Sequence, residues 1–407
     1  MERVVVTGMG IASALGSSVE SAFQRLKKLE NCVQYWDVLD RYTRLNTRLV
    51  SLVKDFKESE NLDRKAKRTM GRISIMATTT AEDALKDAGL LGNPLISNGE
   101  TGVSYGSCMG TMDTVLDFYS MCIDNEVKAL NSGSYIKIMP HTAAVNISLY
   151  FSTKGRLIPT SVACASGSMG IGYAYEAIKN GYQKIMIAGG AEEMHPTQIG
   201  VFDTLFATSS KNDTPKLSPS PFDRDRDGLV IGEGAGTLIL EEYEHAIARG
   251  AKIYAEIAGF ATNTDGSHIT NPNKDTMALV MKKALKEANL KSSDIGYINA
   301  HGTGTIAGDI TESLATQSVF GSNIPISSIK SYTGHTLGAC GAIEAILTIK
   351  MMNENSYCPT LNLKNIDEQC ANLDYIRDGF RNIECDYVMT NNFAFGGVNT
   401  SIILKKV

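Results

Sequence analysis

Apolar positions in this chain fall into short β-branched or small-residue runs, separated by longer stretches with helical spacing. Val4–Gly10 (VVVTGMG) predicts a buried strand ending at a glycine turn, and Val19–Leu29 a helix behind it. Ile75–Leu90 spaces its alanines, acids and lysine as a helix does, and Gly89 stops it. Thr101–Gly106 predicts a strand opening into the loop Ser107-Cys108-Met109-Gly110. The run Ile158–Val162 predicts a second buried strand, and Ile185–Ala188 a third that runs into Gly189-Gly190-Ala191-Glu192-Glu193. Residues 31–75 are irregular and charged, and 112–152 carry mixed helical signals around the turn Met139-Pro140-His141.

The second half repeats this order. Ala84–Leu90 (ALKDAGL) is echoed by Ala284–Leu290 (ALKEANL), and Gly102–Thr111 by Gly296–Thr305. Ile158–Ile178 is echoed by Ile324–Ile346, and Ile185–Ala191 by Val388–Phe395. Each echo is weak alone, but four in one order predict a duplicated α/β unit with halves 1–250 and 251–407. Strands alternating with helices predict a mostly parallel or mixed sheet in each half, covered by helices.

Composition narrows the class of protein. With 407 residues, 43% of them hydrophobic and 20% charged, the chain can bury a large core. A net charge of −5 with no basic stripe argues against nucleic acid as a partner. The densest positive run, Arg64–Arg72 (RKAKRTMGR), is either a solvated helix face or a docking patch for an acidic partner. The eight cysteines make no CxxC pair and no metal-ligand spacing with the six histidines, so reduced thiols and no metal site are expected. MERVVVTGMG reads as a strand and turn rather than a signal peptide, and no apolar run is long enough to span a bilayer. A cytoplasmic protein is the expectation.

The candidate chemistry starts at Cys164. It lies where the Ile158 strand turns through small residues into a helical stretch, so orphan N–H groups and the helix dipole would favour thiolate over thiol. The duplication sets Lys330–Gly341 (KSYTGHTLGACG) opposite this turn, bringing His335, while the second glycine loop brings His301. One thiol and two imidazoles are therefore expected to converge at the strand ends. Two imidazole Nε–H donors suit negative charge developing on a thioester oxygen, as in a decarboxylating malonyl thioester. Lys330, Asp309 and Glu312 are placed to orient and tune the imidazoles. His141, His195, His245 and His268 are expected to be structural.

Other motifs fail on inspection. Asp223-x-Asp225-x-Asp227-Gly228 begins like an EF-hand loop, but its twelfth position is Gly234. Gly302-x-Gly304 lacks the third glycine of a dinucleotide fingerprint, and Ser166-Gly-Ser168-Met-Gly170 lacks the first glycine of a nucleophile elbow.

Five segments together resemble the β-ketoacyl-acyl carrier protein synthases of the elongating I/II type. They are VACASGS around Cys164, PFDRDRDGLVIGEGAG at 221–236, NAHGTGTIAGD at 299–309, KSYTGHTLGACGAIEA at 330–345 and NNFAFGGVN at 391–399. The resemblance implies a thiolase fold, a five-layer αβαβα sandwich of two duplicated halves, working as a dimer. It implies that Cys164 is the acylated nucleophile, and that His301 and His335 promote malonyl decarboxylation. It gives Lys330 a place in the site network with Glu312 as partner, and Phe395 a gating role, with its N–H and that of Cys164 as oxyanion hole. Thr303 and Thr305 would hold the phosphopantetheine arm, Phe393 would line the substrate site, and Met109 would sit at the base of the acyl pocket. Asn299 and Glu344 match positions that bind a structural monovalent cation in some members, and no other cofactor is implied. The partners implied are an acyl carrier protein and a second copy or a homologous chain-length factor.

There are departures from the family pattern. Ala394 replaces the usual glycine before the gating phenylalanine, which should stiffen that loop against φ > 0. The segment Pro140–Ser148 and the pair Gly155-Arg156 look more like ketosynthases of polyene or aryl-polyene pathways. Fatty acid elongation, a dedicated polyketide or aryl-polyene ketosynthase, and a silent partner subunit are thus three readings. A silent subunit would need none of Cys164, His301 and His335, and thiolytic chemistry would use a second cysteine where His335 stands.

Overall fold

The structure is a computed structural model that describes residues 1–127 and 130–407. Lys128 and Ala129, inside the mixed stretch 112–152, lie outside the described residues. Five strands of the first half are β1 (Val4–Ala12), β2 (Thr101–Gly106), β3 (Leu157–Thr160), β4 (Ile185–Glu192) and β5 (Gly234–Glu242). The second half supplies β6 (Ala255–Thr264), β7 (Ile295–Asn299), β8 (Pro325–Ser327), β9 (Asp374–Tyr375), β10 (Tyr387–Ala394) and β11 (Val398–Lys405).

The sheet order explains the sequence echoes. It runs β9-β8-β7-β10-β11-β6-β1-β5-β4-β2-β3, joined at the centre where Val5 and Val6 of β1 pair with Glu256 and Ala255 of β6. Read outward from that join, β1-β5-β4-β2-β3 and β6-β11-β10-β7-β8 follow one pattern: two antiparallel pairings, then two parallel ones. Each half is a mixed sheet, as the alternation of elements predicts.

Six helices complete the layers: α1 (Arg72–Asp87), α2 (Thr142–Phe151), α3 (Ser166–Lys179), α4 (Lys274–Glu287), α5 (Ile306–Phe320) and α6 (Cys340–Asn353). Helices α3 and α6 pack on each other in the central layer, and α6 is buried everywhere except Lys350 and Asn353. A helix apolar on every side belongs between two sheets, not on one. Helices α1 and α2 cover the outer face of the first half, α4 and α5 that of the second, giving the five layers. The halves use the same device to seat their outer helices. A Cβ on Gly8 would come 2.2 Å from the Ala84 carbonyl of α1, and one on Gly259 2.7 Å from that of Ala284 in α4.

Three local expectations are corrected. β1 does not stop at Gly10 but continues through a bulge near Thr7 to Ala12. Helix α1 begins at Arg72, earlier than its alanine pattern suggests, and Gly89 with φ +66 follows its end. The strand before Cys164 is not buried: it is the sheet's edge, and Leu157 is 40% exposed. An apolar run at an edge looks the same in sequence as one in a core. More large apolar side chains, including Leu116, Tyr119, Ile123 and Tyr135, are exposed along the 112–152 stretch.

Candidate active site

Cys164 sits in the turn between β3 and α3, as its small neighbours predict. Ala163 before it has φ +49, a left-handed conformation that costs a non-glycine residue about 1–2 kcal/mol. Ser166 holds this strain in place: its Oγ accepts from Val162 N at 2.9 Å and donates to the Ala163 carbonyl at 2.7 Å. The thiol is 3% exposed, and the backbone N–H groups of Cys164 and Phe395 both act on its sulfur. An oxygen formed beside that sulfur would meet the same two donors.

The two imidazoles converge on it. His335 Nε2 is 2.9 Å from Cys164 Sγ, and its Nδ1 accepts a hydrogen bond from Leu337 N at 3.2 Å. With Nδ1 committed as an acceptor, the ring proton belongs on Nε2. The His301 ring stands edge-on to it, 5.2 Å between centroids and 86° between planes. One ligand atom from each of Cys164, His301 and His335 lies within 4.8 Å of the others, a spacing that a metal ion could also use. The buried ammonium of Lys330 opposes that use. Burial first, and Lys330 next, hold both imidazoles well below their ordinary pKa, so they are neutral donors beside a fixed positive charge.

The expectation of a ready thiolate is corrected. Burial pushes the Cys164 thiol up to about 11, outweighing Lys330 and the two amides that favour the anion. His335 already carries its proton on Nε2, so it supports the anion without being able to take up the thiol proton. Attack requires the thiolate. With Cys164 as the acylated nucleophile that the resemblance implies, the single-turnover rate of acyl loading would climb about tenfold per pH unit from pH 6 to 9. A loading rate that is flat across that range would refute this.

Acidic residues occupy other roles than expected. Lys330 Nζ pairs with Glu344 Oε1 at 2.5 Å, so Glu344, not Glu312, is its partner. Glu312 instead accepts from the backbone N–H groups of His301 and Gly302, both at 2.7 Å, and burial pushes it up to about 8. Asp309 accepts from Thr303 N, Gly304 N and Phe222 N, and burial pushes it up to about 6. Both carboxyls fix the backbone of the glycine loop rather than a ring. Spacing alone gives no hint of that, because a carboxylate one turn along a helix reaches amide or imidazole equally well. Asp223 likewise ties Asp225, Lys364 and Asn365 N–H groups, a loop fastener and not a calcium ligand.

A cavity of about 320 Å³ opens from Cys164, His301 and His335 to the surface. Thr303 and Thr305 line it, with their hydroxyls 2.9 Å apart, and Phe393 walls it beside His301. Phe395 lines it too, its ring packed on Phe202 at 5.2 Å. Ala394 keeps ordinary strand conformation opposite Val398, and the left-handed turn falls on Gly396 and Gly397. Met109 is not brought into this cavity: it is 40% exposed on the loop beyond Cys108. Sequence reasoning misses Phe202 and gives His268 a structural role, yet both line the cavity. It also misses Asn392, whose amide lies between His301 and Glu344.

The chain is similar to known proteins over its whole length. The N-terminal domain of β-ketoacyl synthases matches residues 1–246 and the C-terminal domain 254–364. The 3-oxoacyl-[acyl-carrier-protein] synthase 2 of Vibrio harveyi is 36% identical over 412 residues, covering 100% of this chain and 99% of its own. The crystal structure of a β-ketoacyl synthase from Burkholderia phymatum is 53% identical, with TM-score 0.99 and 100% of both chains covered. The ishigamide ketosynthase/chain length factor is 28% identical with TM-score 0.90, covering 100% of this chain and 99% of that one. The chain belongs to the β-ketoacyl synthase family, and it is an acyltransferase of the thiolase fold.

Proposed function

We propose that Cys164 accepts an acyl group from a carrier-protein thioester and that the same site joins it to a malonyl unit. The convergence of one thiol and two neutral imidazoles, with one ligand atom of each within 4.8 Å of the others, supports this reading above all else. In the first step Sγ attacks the acyl carbonyl, the oxyanion rests on the Cys164 and Phe395 N–H groups, and the carrier thiol leaves. In the second step malonyl-carrier loses CO₂, and the electron pair of the broken C–C bond becomes an enolate whose oxygen His301 and His335 hold. That carbon attacks the acyl-cysteine carbonyl, the C–S bond breaks, and β-ketoacyl-carrier departs. Thr303 and Thr305 are suited to the polar phosphopantetheine arm, with Phe393 and Phe395 flanking the acyl end.

The partner is a carrier protein. Within the basic run Arg72 pairs with Glu233 and Lys67 with Glu58, leaving Arg64, Lys65 and Arg68 exposed to meet an acidic carrier. The exposed apolar residues of 112–152 and of β3 are suited to a second subunit, identical or homologous, and Met109 would close an acyl pocket only once that surface is covered. The division of the chain near residue 250 and a cytoplasmic location belong to the same reading. A monovalent cation fits beside Glu344: Asn299 Oδ1 is buried with no hydrogen-bond partner among the described residues, and Glu344 is already paired with Lys330, a set suited to weak structural binding. No step passes through it.

Fatty acid elongation is the pathway we favour, and one experiment tests it against polyene synthesis. The protein is mixed with saturated, polyunsaturated and aryl-primed acyl-carrier thioesters and read by intact-protein mass spectrometry. Loading mainly by saturated medium or long chains is expected. Preferential polyene or aryl loading, or loading only beside a co-purified homologue, would move the enzyme to the second pathway. No adduct with any of them would reinstate a silent subunit.

A further inference from the structure

His335 has an evident reason to carry its proton on Nε2: a backbone N–H occupies Nδ1. Among the described residues no backbone N–H donates to the His301 ring. What faces its Nδ1 is the side-chain amide of Asn392 on β10, with Nδ2 at 3.4 Å. Asn392 is fully buried, and the same Nδ2 donates to Glu344 Oε2 at 2.9 Å while lying 3.6 Å from Cys340 Sγ.

The amide can be oriented in only one way. Lys330 pins Glu344 as a carboxylate through Oε1, so Glu344 Oε2 requires a donor. Rotating the amide by 180° would set Asn392 Oδ1 against that carboxylate oxygen. In the orientation present, Oδ1 is buried with no hydrogen-bond partner among the described residues, which is unfavourable. The arrangement accepts an unpaired oxygen in order to present N–H groups to Glu344 and His301.

We propose that Asn392 is the positioning residue that sets the His301 tautomer, with Lys330 and Glu344 fixing the amide from behind. This rests on the proposed role of His301 as an enolate donor. An N–H at Nδ1 makes that nitrogen an acceptor and puts the ring proton on Nε2, the atom that must donate to the developing oxyanion. Burial and the Lys330 charge keep the ring from becoming an imidazolium, so its single proton has to be on the correct nitrogen. A second consequence concerns the buried ion pair. Lys330 acts on His301 twice, directly through its charge and, with Glu344, through the amide of Asn392.

The test compares Asn392→Leu, which keeps the size and removes both donors, with Asn392→Asp, which keeps the shape and offers only acceptors when ionised. Acyl loading on Cys164 is followed by intact mass, and malonyl-carrier decarboxylation and condensation are followed separately. In Asn392→Leu loading should stay at the parent rate while condensation falls about 10–100-fold, the scale seen when the partner that orients a metal-bound histidine is lost. In Asn392→Asp condensation should decline as pH rises. At low pH the extra proton, held by the new carboxyl or by His301 beside it, restores Nε2–H; at high pH the carboxylate draws the ring proton to Nδ1. The other groups facing this position are Glu344, Lys330 and the Cys340 thiol, with His335 across the His301 ring, and Glu344 next to the new carboxyl moves the transition to higher pH.

Parent-like condensation in Asn392→Leu, or a parent-like pH profile in Asn392→Asp, would overturn the assignment. So would loading and condensation falling together with a lowered melting temperature in both variants. His301→Ala separates the two claims. If it condenses normally, the role of His301 itself is wrong; if it loads without condensing while Asn392→Leu is normal, only the role of Asn392 is wrong.

Discussion

Replacing Cys164 by alanine should abolish acyl loading altogether and lower condensation by about 10⁶-fold, the scale seen when an activated nucleophile is deleted. The residue is buried in a compact cluster with Ala165, Cys340 and Ala394, so losing one sulfur leaves a small void and a folded protein. What should survive is informative. His301 and His335 do not depend on the thiol for their positions, since Glu312 fixes the His301 backbone and Leu337 N caps His335. Malonyl-carrier should therefore still lose CO₂ in Cys164→Ala, with acetyl-carrier as product and no β-ketoacyl-carrier. Intact mass and CO₂ release read both halves of this result. A Cys164→Ala protein that condenses at the parent rate would sink the assignment of the nucleophile.

The duplication was legible because it is written twice. Ala84–Leu90 and Ala284–Leu290 look alike since each carries the alanine carbonyl that Gly8 or Gly259 must approach. The turn at Cys164 and the histidines at 301 and 335 were legible for a related reason: strand, small-residue turn and helix leave a local pattern. What the sequence did not reveal are matters of partnership across long separations. Glu344 and Glu312 are both acidic helical residues within reach of Lys330 in sequence, and only packing of α6 in the central layer decides that Glu344 reaches the ammonium. The thiol's protonation was misjudged because a helix N-terminus is visible in a sequence and complete burial is not. Asn392 lies in a strand that the sequence marks only as an echo of Ile185–Ala191, and nothing local there points to Glu344 or His301.

Replacing Lys330 by methionine should cost about 3–5 kcal/mol, the usual price of stranding one member of a buried ion pair. Lys330 and Glu344 are 0% and 2% exposed, so water cannot take over from the missing ammonium. The loss should depend on pH in a definite direction. Burial already raises the Glu344 pKa above its ordinary value, with Lys330 as the strongest opposing influence. Without Lys330 the folded-state pKa rises further, while the unfolded value stays in the ordinary carboxylate range. A raised carboxyl pKa leaves stability intact below the unfolded value and removes it as pH rises toward the folded one. Chemical denaturation should thus find Lys330→Met close to the parent near pH 5 and far less stable near pH 8. Adding Glu344→Gln removes the stranded charge while its side-chain oxygen can still accept from Asn392, so the double variant should regain most of the loss at pH 8. Condensation should stay below the parent, because the Lys330 charge that helps keep the His301 ring neutral is gone. Equal stability of Lys330→Met and parent at pH 8 would show that the pair is not what neutralises Glu344.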